Sequence, residues 1–542
     1  MSTVLTASHR RVIFASSLGT VFEWYDFFLY GSLAGVISVQ FFSGVNETTG
    51  FIFALAAFAA GFAVRPIGAL VFGRLGDLVG RNRTFLVTIT VMGAATALVG
   101  VLPGYGSIGV AAPVLLVALR LLQGFAIGGE YGGAAVYVAE HAPPGKRGLY
   151  TSWIQATASI GLLLSLAVIL ICRAALGPAF DSWGWRIPFL LSVVLLAISV
   201  YIRLQLEESP VFRAMQAEGT LTRAPLKEAF GNWPNLRVVL ILLFGAAAGQ
   251  AVIWYCSQFY ALFFLTQVLK VGATPANLLM AGALLLGTPC FVLFGWLSDR
   301  GGRKVIVMAG LLLAVTLLFP LFRGLTHYAN PAMEAAVAAS PVVVVADPAG
   351  CNLQFDPVGK RRFTNSCDVV KTALTKAGVP YTNVAAPAGS LAHVRIGHVR
   401  IDSFEGGSKN GAEFAARSAT FGAVLAAALT AAHYPPAADS ALIDYPMVLL
   451  LLTLLVVLAT MVYGPIAAWM VELFPARVRY TSLSLPYHIG NGWFGGFLPT
   501  VSFALVAFTG DLYYGLWYPI AIAVMSLVIG TLWLRDTPRA ER

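Results

Sequence analysis

Long apolar runs and short polar breaks alternate along almost the whole chain. Runs long enough to cross a ~30 Å hydrocarbon core as helices fall near 12–41, 50–72, 84–103, 110–138, 149–175, 186–204, 237–266, 274–296, 305–322, 444–470, 482–508 and 514–534. They predict twelve membrane spans, numbered 1 to 12 in that order. The polar breaks repeat too. After span 2 the chain reads GRLGDLVGRNR (Gly73–Arg83), and after span 8 GWLSDRGGRKV (Gly295–Val305), with Gly, Leu, Asp, Gly and Arg in register. Glu140 stands seven residues before Arg147, as Glu472 stands before Arg479. Two parallel six-helix repeats follow, an arrangement whose binding site lies between the halves.

The same landmarks expose an addition. Asp77 and Glu140 are 63 positions apart, Asp299 and Glu472 173, so the second half carries about 110 extra residues. The expected organisation is a first bundle over 1–205, a connecting loop over 206–236, and a second bundle over 237–542 interrupted by an insertion at 330–440. The insertion is the one soluble-looking stretch. Ser340–Asp347 reads as a buried strand, Cys367–Gly378 as a helix and His393–Ile401 as an alternating hairpin. The predicted class is an all-α membrane protein of two pseudo-symmetric bundles with a small extracytoplasmic α/β insertion between helices 9 and 10.

Composition strengthens the membrane reading: 58% of residues are hydrophobic, 11% are charged, and the mean hydropathy is +0.78. The basic pair Arg10 and Arg11 leads into a retained span, not a cleaved signal. With the N-terminus in the cytoplasm, most Lys and Arg of short loops fall on the cytoplasmic side, among them Arg74, Arg81, Arg147, Arg213, Arg303, Lys304, Arg479 and Arg535. The opposite loops hold Arg173, Arg186 and Lys270. Both termini are therefore expected inside. The net charge of +10 reports topology and contact with anionic lipid, and no nucleic-acid partner is implied. Cys172, Cys256 and Cys290 fall in spans. Cys351 and Cys367 share the exported insertion and are expected to form a disulfide.

FEWYDFFLYG (Phe22–Gly31), GFAVRPIGALVFGRLGD (Gly61–Asp77), RLLQGFAIGGEYGGA (Arg120–Ala134), WGWRIPFLLS (Trp183–Ser192) and LEESPVF (Leu206–Phe212), taken with the duplicated loop, resemble the metabolite:proton symporter family of the major facilitator superfamily. The resemblance covers everything but the insertion. It implies a multi-pass bacterial inner-membrane transporter that imports a small organic acid with protons by alternating access. It implies no enzyme, cofactor or metal, and a monomer is expected. A symporter of a zwitterionic solute such as proline or betaine is the alternative; drug-efflux antiport and a non-transporting sensor come behind it. Leu78 and Asn82 depart from the superfamily loop, where basic residues are usual, so the first copy should bind more weakly than the second.

The loop has a physical task. Asp77 can accept from the free N–H groups of a neighbouring helix start while Arg81 pairs with Glu140, latching the halves at the cytoplasmic face. Asp299, Arg303 and Glu472 form the equivalent gate. Ionisable residues at membrane depth are costly and mark function. Glu23, Asp26 and Tyr30 share one face of helix 1 at i, i+3, i+7, and Arg65, Arg120, Gln123 and Glu130 face them from helices 2 and 4. Proton coupling is assigned to Asp26, Glu23 and Glu130, with Arg120 the first anion site and Arg65 the next. In that scheme Asp26 pairs with Arg120 until a substrate carboxylate competes. A static ion pair holding the helices together is the competing reading. In the second half Gln250, Trp254, Tyr255, His488 and Asn491 are expected to line the substrate, with Gln258 and Tyr260 nearby. Gly124, Gly128, Gly129, Gly132 and Gly133 give helix 4 three G-x-x-x-G pairs for close helix contact.

Overall fold

In the computed structural model, residues 7–43, 47–205, 207–352, 363–407 and 411–536 are described; both chain ends and Leu206 of the LEESPVF motif lie outside them. Helices occupy every range expected to span. Span 1 is Ala7–Ser32 continued by Ala34–Phe41, and span 2 is Glu47–Val79. Spans 3 to 6 are Arg81–Val101, Ala111–His141, Arg147–Leu176 and Arg186–Leu204. Spans 7 to 12 are Trp233–Val268, Ala273–Gly301, Arg303–Ala329, Tyr445–Glu472, Ala476–Thr509 and Tyr514–Trp533. Eleven described helices are long and apolar enough to cross a membrane, and one of them, Gly411–Ala431, belongs to the insertion. Side chains such as Leu170, Ile171, Val193, Leu285, Leu286 and Leu312 are exposed around the bundle. In water such a belt would aggregate; against lipid tails it is the required surface.

The halves pack alike. Span 2 lies on span 4, 1 on 5 and 3 on 6, while in the second half 8 lies on 10, 7 on 12 and 9 on 10 and 12. The halves meet along two seams, span 2 with 11 and span 8 with 5. These pairs exchange under the internal repeat. Each duplicated loop turns at a glycine with positive φ, 118° at Gly80 and 109° at Gly302. Only glycine adopts that conformation cheaply, and the next helix starts at once with Arg81 or Arg303.

The insertion folds as expected in outline. β1 (Val342–Ala346) pairs in parallel with β2 (Thr382–Ala385) and antiparallel with β3 (His393–Ile396), which forms a hairpin with β4 (Val399–Asp402), giving the order β2-β1-β3-β4. Helix Ser366–Ala377 crosses from β1 to β2. The helix Pro331–Ala339, the strand β2, and the helix Gly411–Ala431, whose Phe421, Leu425 and Leu429 close a core with Val344, Leu374 and Val394, add to the sequence reading. Cys351 and Cys367 are joined as a disulfide.

The insertion sits on the second half, at the end of the bundle opposite the duplicated loops. Lys371 Nζ donates to the Phe508 carbonyl at 2.7 Å, the Tyr381 hydroxyl to Ala507, and Asn383 Nδ2 to Thr509 at 2.5 Å. These donors satisfy the last carbonyls of span 11, which have no partner within the helix. Burial draws the Lys371 ammonium below its usual range, with Asp368 opposing that shift.

Candidate functional site

Span 1 brings Glu23 and Asp26 to the centre of the first half, where they are 3% and 4% exposed. Asp26 Oδ1 accepts from Ser192 Oγ of span 6 at 2.5 Å. Arg120 Nη1 donates to Gln123 Oε1 at 2.6 Å, and Gln123 passes the contact to Thr96. The Arg120 guanidinium lies 4.2 Å from the Tyr30 ring centre. The contacts found for Asp26 and Arg120 are thus to different groups from those of the expected mutual pair.

Arg65 occupies the more central place. Its guanidinium carbon lies 4.6 Å from the Phe27 ring and 4.4 Å from the Phe62 ring. It is 2% exposed, and its Nε and Nη2 have no hydrogen-bond partner. Its electrostatic neighbours come from both halves: Glu23 from span 1, Tyr255 from span 7, Tyr463 from span 10 and Tyr487 from span 11. Pro66 follows directly and removes one N–H from the helix ladder at this level.

The second half answers with a polar and aromatic wall. Asn491 Nδ2 donates to Gln250 Oε1 at 3.3 Å and to the Tyr487 carbonyl at 3.1 Å. The Trp254 Nε1, both polar atoms of Gln258 and both ring nitrogens of His488 are buried without a hydrogen-bond partner. π-helical turns at Cys256–Tyr260 and Gly490–Gly495 widen the helices beside these residues, as such turns do at many functional sites. Tyr260 turns away into Phe264, Phe322 and Phe503. Aromatic rings close the interface on the insertion side, with Trp24 6.0 Å from Trp254 and Phe28 stacked 5.9 Å from Phe259.

A second bridge went unread in the sequence. Tyr131 stacks on Tyr487 at 3.5 Å between ring centres, Gln155 donates to the Tyr131 hydroxyl at 2.6 Å, and the Tyr463 and Tyr487 hydroxyls are 2.5 Å apart. Tyrosines in apolar helices give no signal beyond ordinary packing. Ser192 closes the quoted WGWRIPFLLS motif, and Arg203 ends a span where basic residues are common, so neither stood out.

The duplicated loops form the expected contacts. Asp77 Oδ2 accepts from Thr481 N at 2.9 Å and Thr481 Oγ1 at 2.7 Å, in the first turn of the helix Arg479–Ile489. Asp299 accepts from Gly148 N and Leu149 N, both at 2.8 Å, at the start of span 5. Each aspartate therefore caps a helix of the opposite half, where the N-terminal dipole favours a carboxylate. Arg81 lies 3.4 Å from Asp77 and 3.7 Å from Glu140, whereas Arg303 lies 2.6 Å from Asp299 and 3.1 Å from Glu472. Arg479 reaches across to Glu140 at 3.1 Å. Glu208 caps Arg81 N at 3.0 Å, as Asp536 caps Arg303 N at 3.2 Å.

Two latched helix bundles around a buried polar centre define a secondary transporter. The family described as sugar (and other) transporter matches residues 12–235. The chain is 39% identical over 322 residues to the shikimate transporter of Escherichia coli K12, covering 58% of this chain and 72% of that one. It is 35% identical over 325 residues to the proline/betaine transporter of the same strain, covering 58% and 64%. Alpha-ketoglutarate permease of that strain is 34% identical over 334 residues, covering 60% and 75%. A solved proton:xylose symporter bound to a bromodeoxyglucose superimposes with a TM-score of 0.60 at 15% identity over 99% of both chains. The xylose transporter of E. coli in its inward-open conformation gives 0.51 at 15% identity, over 98% and 97%. The chain belongs to the major facilitator superfamily and is a multi-pass membrane transporter, not an enzyme.

Proposed function

We propose that the protein is a proton-coupled symporter that imports a small carboxylate. It would act as a monomer of twelve spans in a bacterial inner membrane, with the latch face and both termini cytoplasmic and the insertion outside. The observation that carries this reading is Arg65, a buried guanidinium whose Nε and Nη2 lack partners and whose electrostatic neighbours include three tyrosines of the second half. A planar fork in a dry, aromatic setting fits a carboxylate bidentately. His488, Gln258 and Trp254 offer further open donors and acceptors for hydroxyl or keto groups on the same molecule. Arg120, held by Gln123, stands behind it. Asp26 and Glu23 are the acids assigned to the proton: Arg65 is a charged neighbour of Glu23, which in turn neighbours Asp26, so a substrate carboxylate that occupies Arg65 offsets that counter-charge and raises the proton affinity of the acidic pair. Glu130 completes the acidic set.

One observation favours a second reading. Trp24, Phe62, Trp254 and Tyr255 surround the same centre, and an aromatic cage of that kind takes quaternary ammonium groups; a betaine carries both that group and a carboxylate. An uptake screen in proteoliposomes with an imposed pH gradient separates the two. Mono- and dicarboxylates are expected to accumulate, and betaine is not. Accumulation of betaine alone would replace the first reading with the second.

A further inference from the structure

Glu130 on span 4 and Arg203 on span 6 lie between the central acids and the latch. They are 0% and 1% exposed. Both Glu130 oxygens, and Nε and Nη2 of Arg203, lack any hydrogen-bond partner. The guanidinium lies against the Phe85 ring of span 3. A Cβ at Gly19 of span 1 would come within 2.5 Å of Nη2, so that glycine makes the room. The charged and titratable groups facing Glu130 are Glu23 and Asp26 from span 1, Arg203 from span 6 and Tyr480 from span 11. Arg203 also faces Tyr137 of span 4. A carboxyl and a guanidinium with open valences away from water are costly.

Tyr480 is the neighbour that the opposite half supplies. It comes from the opposite half, and its ring fills a hole walled by Gly76 of span 2 and Gly132 and Gly133 of span 4. Cβ atoms at those three positions would fall 2.0, 2.9 and 2.5 Å from atoms of the tyrosine. Its hydroxyl donates to the carbonyl of Gly129, the residue before Glu130. The next residue, Thr481, is the one Asp77 holds. The tyrosine and the Asp77 contact therefore share one helix turn, so a motion that breaks the contact can carry the tyrosine with it.

We propose that Glu130 and Arg203 form an inner proton-release station whose contact with water at the latch end is opened and closed by Tyr480. The proposal rests on the proton-coupled reading above and adds the place and the gate of release. With the tyrosine seated, Glu130 stays dry and holds its proton. With it withdrawn, water enters, the O–H bond of the Glu130 carboxyl breaks, the proton passes to water as hydronium, and the carboxylate pairs with the Arg203 guanidinium. No other bond changes.

A water-soluble carbodiimide modifies protonated carboxyls that water can reach, and peptide mass spectrometry reads the adduct on Glu130 in the full-length protein in nanodiscs. Tyr480→Ala should raise that modification by at least about tenfold over wild type, as expected when a closed site becomes mostly open, while Tyr480→Phe, which keeps the ring, stays within a few-fold. If Tyr480→Ala does not fold, Asp77→Asn must give the same rise with the tyrosine intact. Arg203→Gln should move the pH profile of modification upward by about one unit or more, because a counter-charge is lost, and Arg203→Lys should restore it. Equal modification in wild type and the gate variants, or a profile indifferent to charge at position 203, would overturn the station. The readout needs neither substrate nor gradient. Proton-coupled uptake with an insensitive Glu130 would sink the station alone; a gated Glu130 without proton movement would sink the coupling alone.

Discussion

At the scale of single residues, the two buried arginines differ in their surroundings. Arg120 donates to Gln123 and lies over Tyr30, whereas Arg65 is clamped between Phe27 and Phe62 with N–H groups to spare. Arg65→Lys keeps the charge but loses the planar fork. The carboxylate selected by the uptake screen should bind at least about tenfold more weakly, ~1.4 kcal/mol, as measured by calorimetry on purified protein. Arg120→Lys should cost less, because the contacts described for it are to Gln123, Phe27 and Tyr30 of the first half; the reverse order would return the anion site to Arg120. The sequence supplied the inventory of buried charge, since an ionisable residue inside an apolar run stands out against its neighbours. It ranked Arg120 ahead of Arg65 without sight of the rings that flank Arg65, which arrive from span 1 and from its own helix, or of the electrostatic neighbours that come from the far half.

At the scale of elements, the latch shows how a pattern becomes a contact. Gly80 and Gly302 set the turn, and the aspartate three residues earlier meets a helix start across the interface. This much was legible, since the duplicated Gly, Leu and Asp had no use as mere positive-inside signals. The longer contacts of Arg81 than of Arg303 accord with the departures at Leu78 and Asn82. Asp77→Asn removes a charged acceptor from Thr481, about 1.5–3 kcal/mol, which would shift the closed state against the open one by roughly tenfold or more. Spin labels at positions 74 and 477, on opposite halves beside the latch, should report a longer-distance population in the variant; an unchanged distance distribution would mean that the closed state does not depend on this cap. In the insertion, the period-2 alternation of HVRIGHVRI gave the β3–β4 hairpin. The helix Gly411–Ala431 was missed because alanine on nearly every face leaves no apolar stripe to read; only Phe421, Leu425 and Leu429 mark its buried side.

At the scale of the molecule, the repeat makes the halves interchangeable in packing but not in chemistry. The described buried acids and guanidinium groups of the centre all come from the first half, and the second contributes amides, a histidine and aromatic rings. The insertion reinforces this asymmetry by fastening to span 11 through Lys371, Tyr381 and Asn383 and, through the Lys376 carbonyl, to Lys270 in the loop after span 7. Its described anchoring hydrogen bonds run to the second half, so a motion of one half against the other would carry it with the second. The claim on which all of this converges is that proton and carboxylate cross together. Vesicles containing the purified protein and a trapped pH-sensitive dye, with no gradient imposed, measure it directly when the selected carboxylate is added outside. The account predicts that the lumen acidifies in step with substrate entry, and that Asp26→Asn exchanges preloaded substrate without acidification. Substrate entry in the wild type with no change in luminal pH, or full acidification by the Asp26→Asn protein, would contradict it.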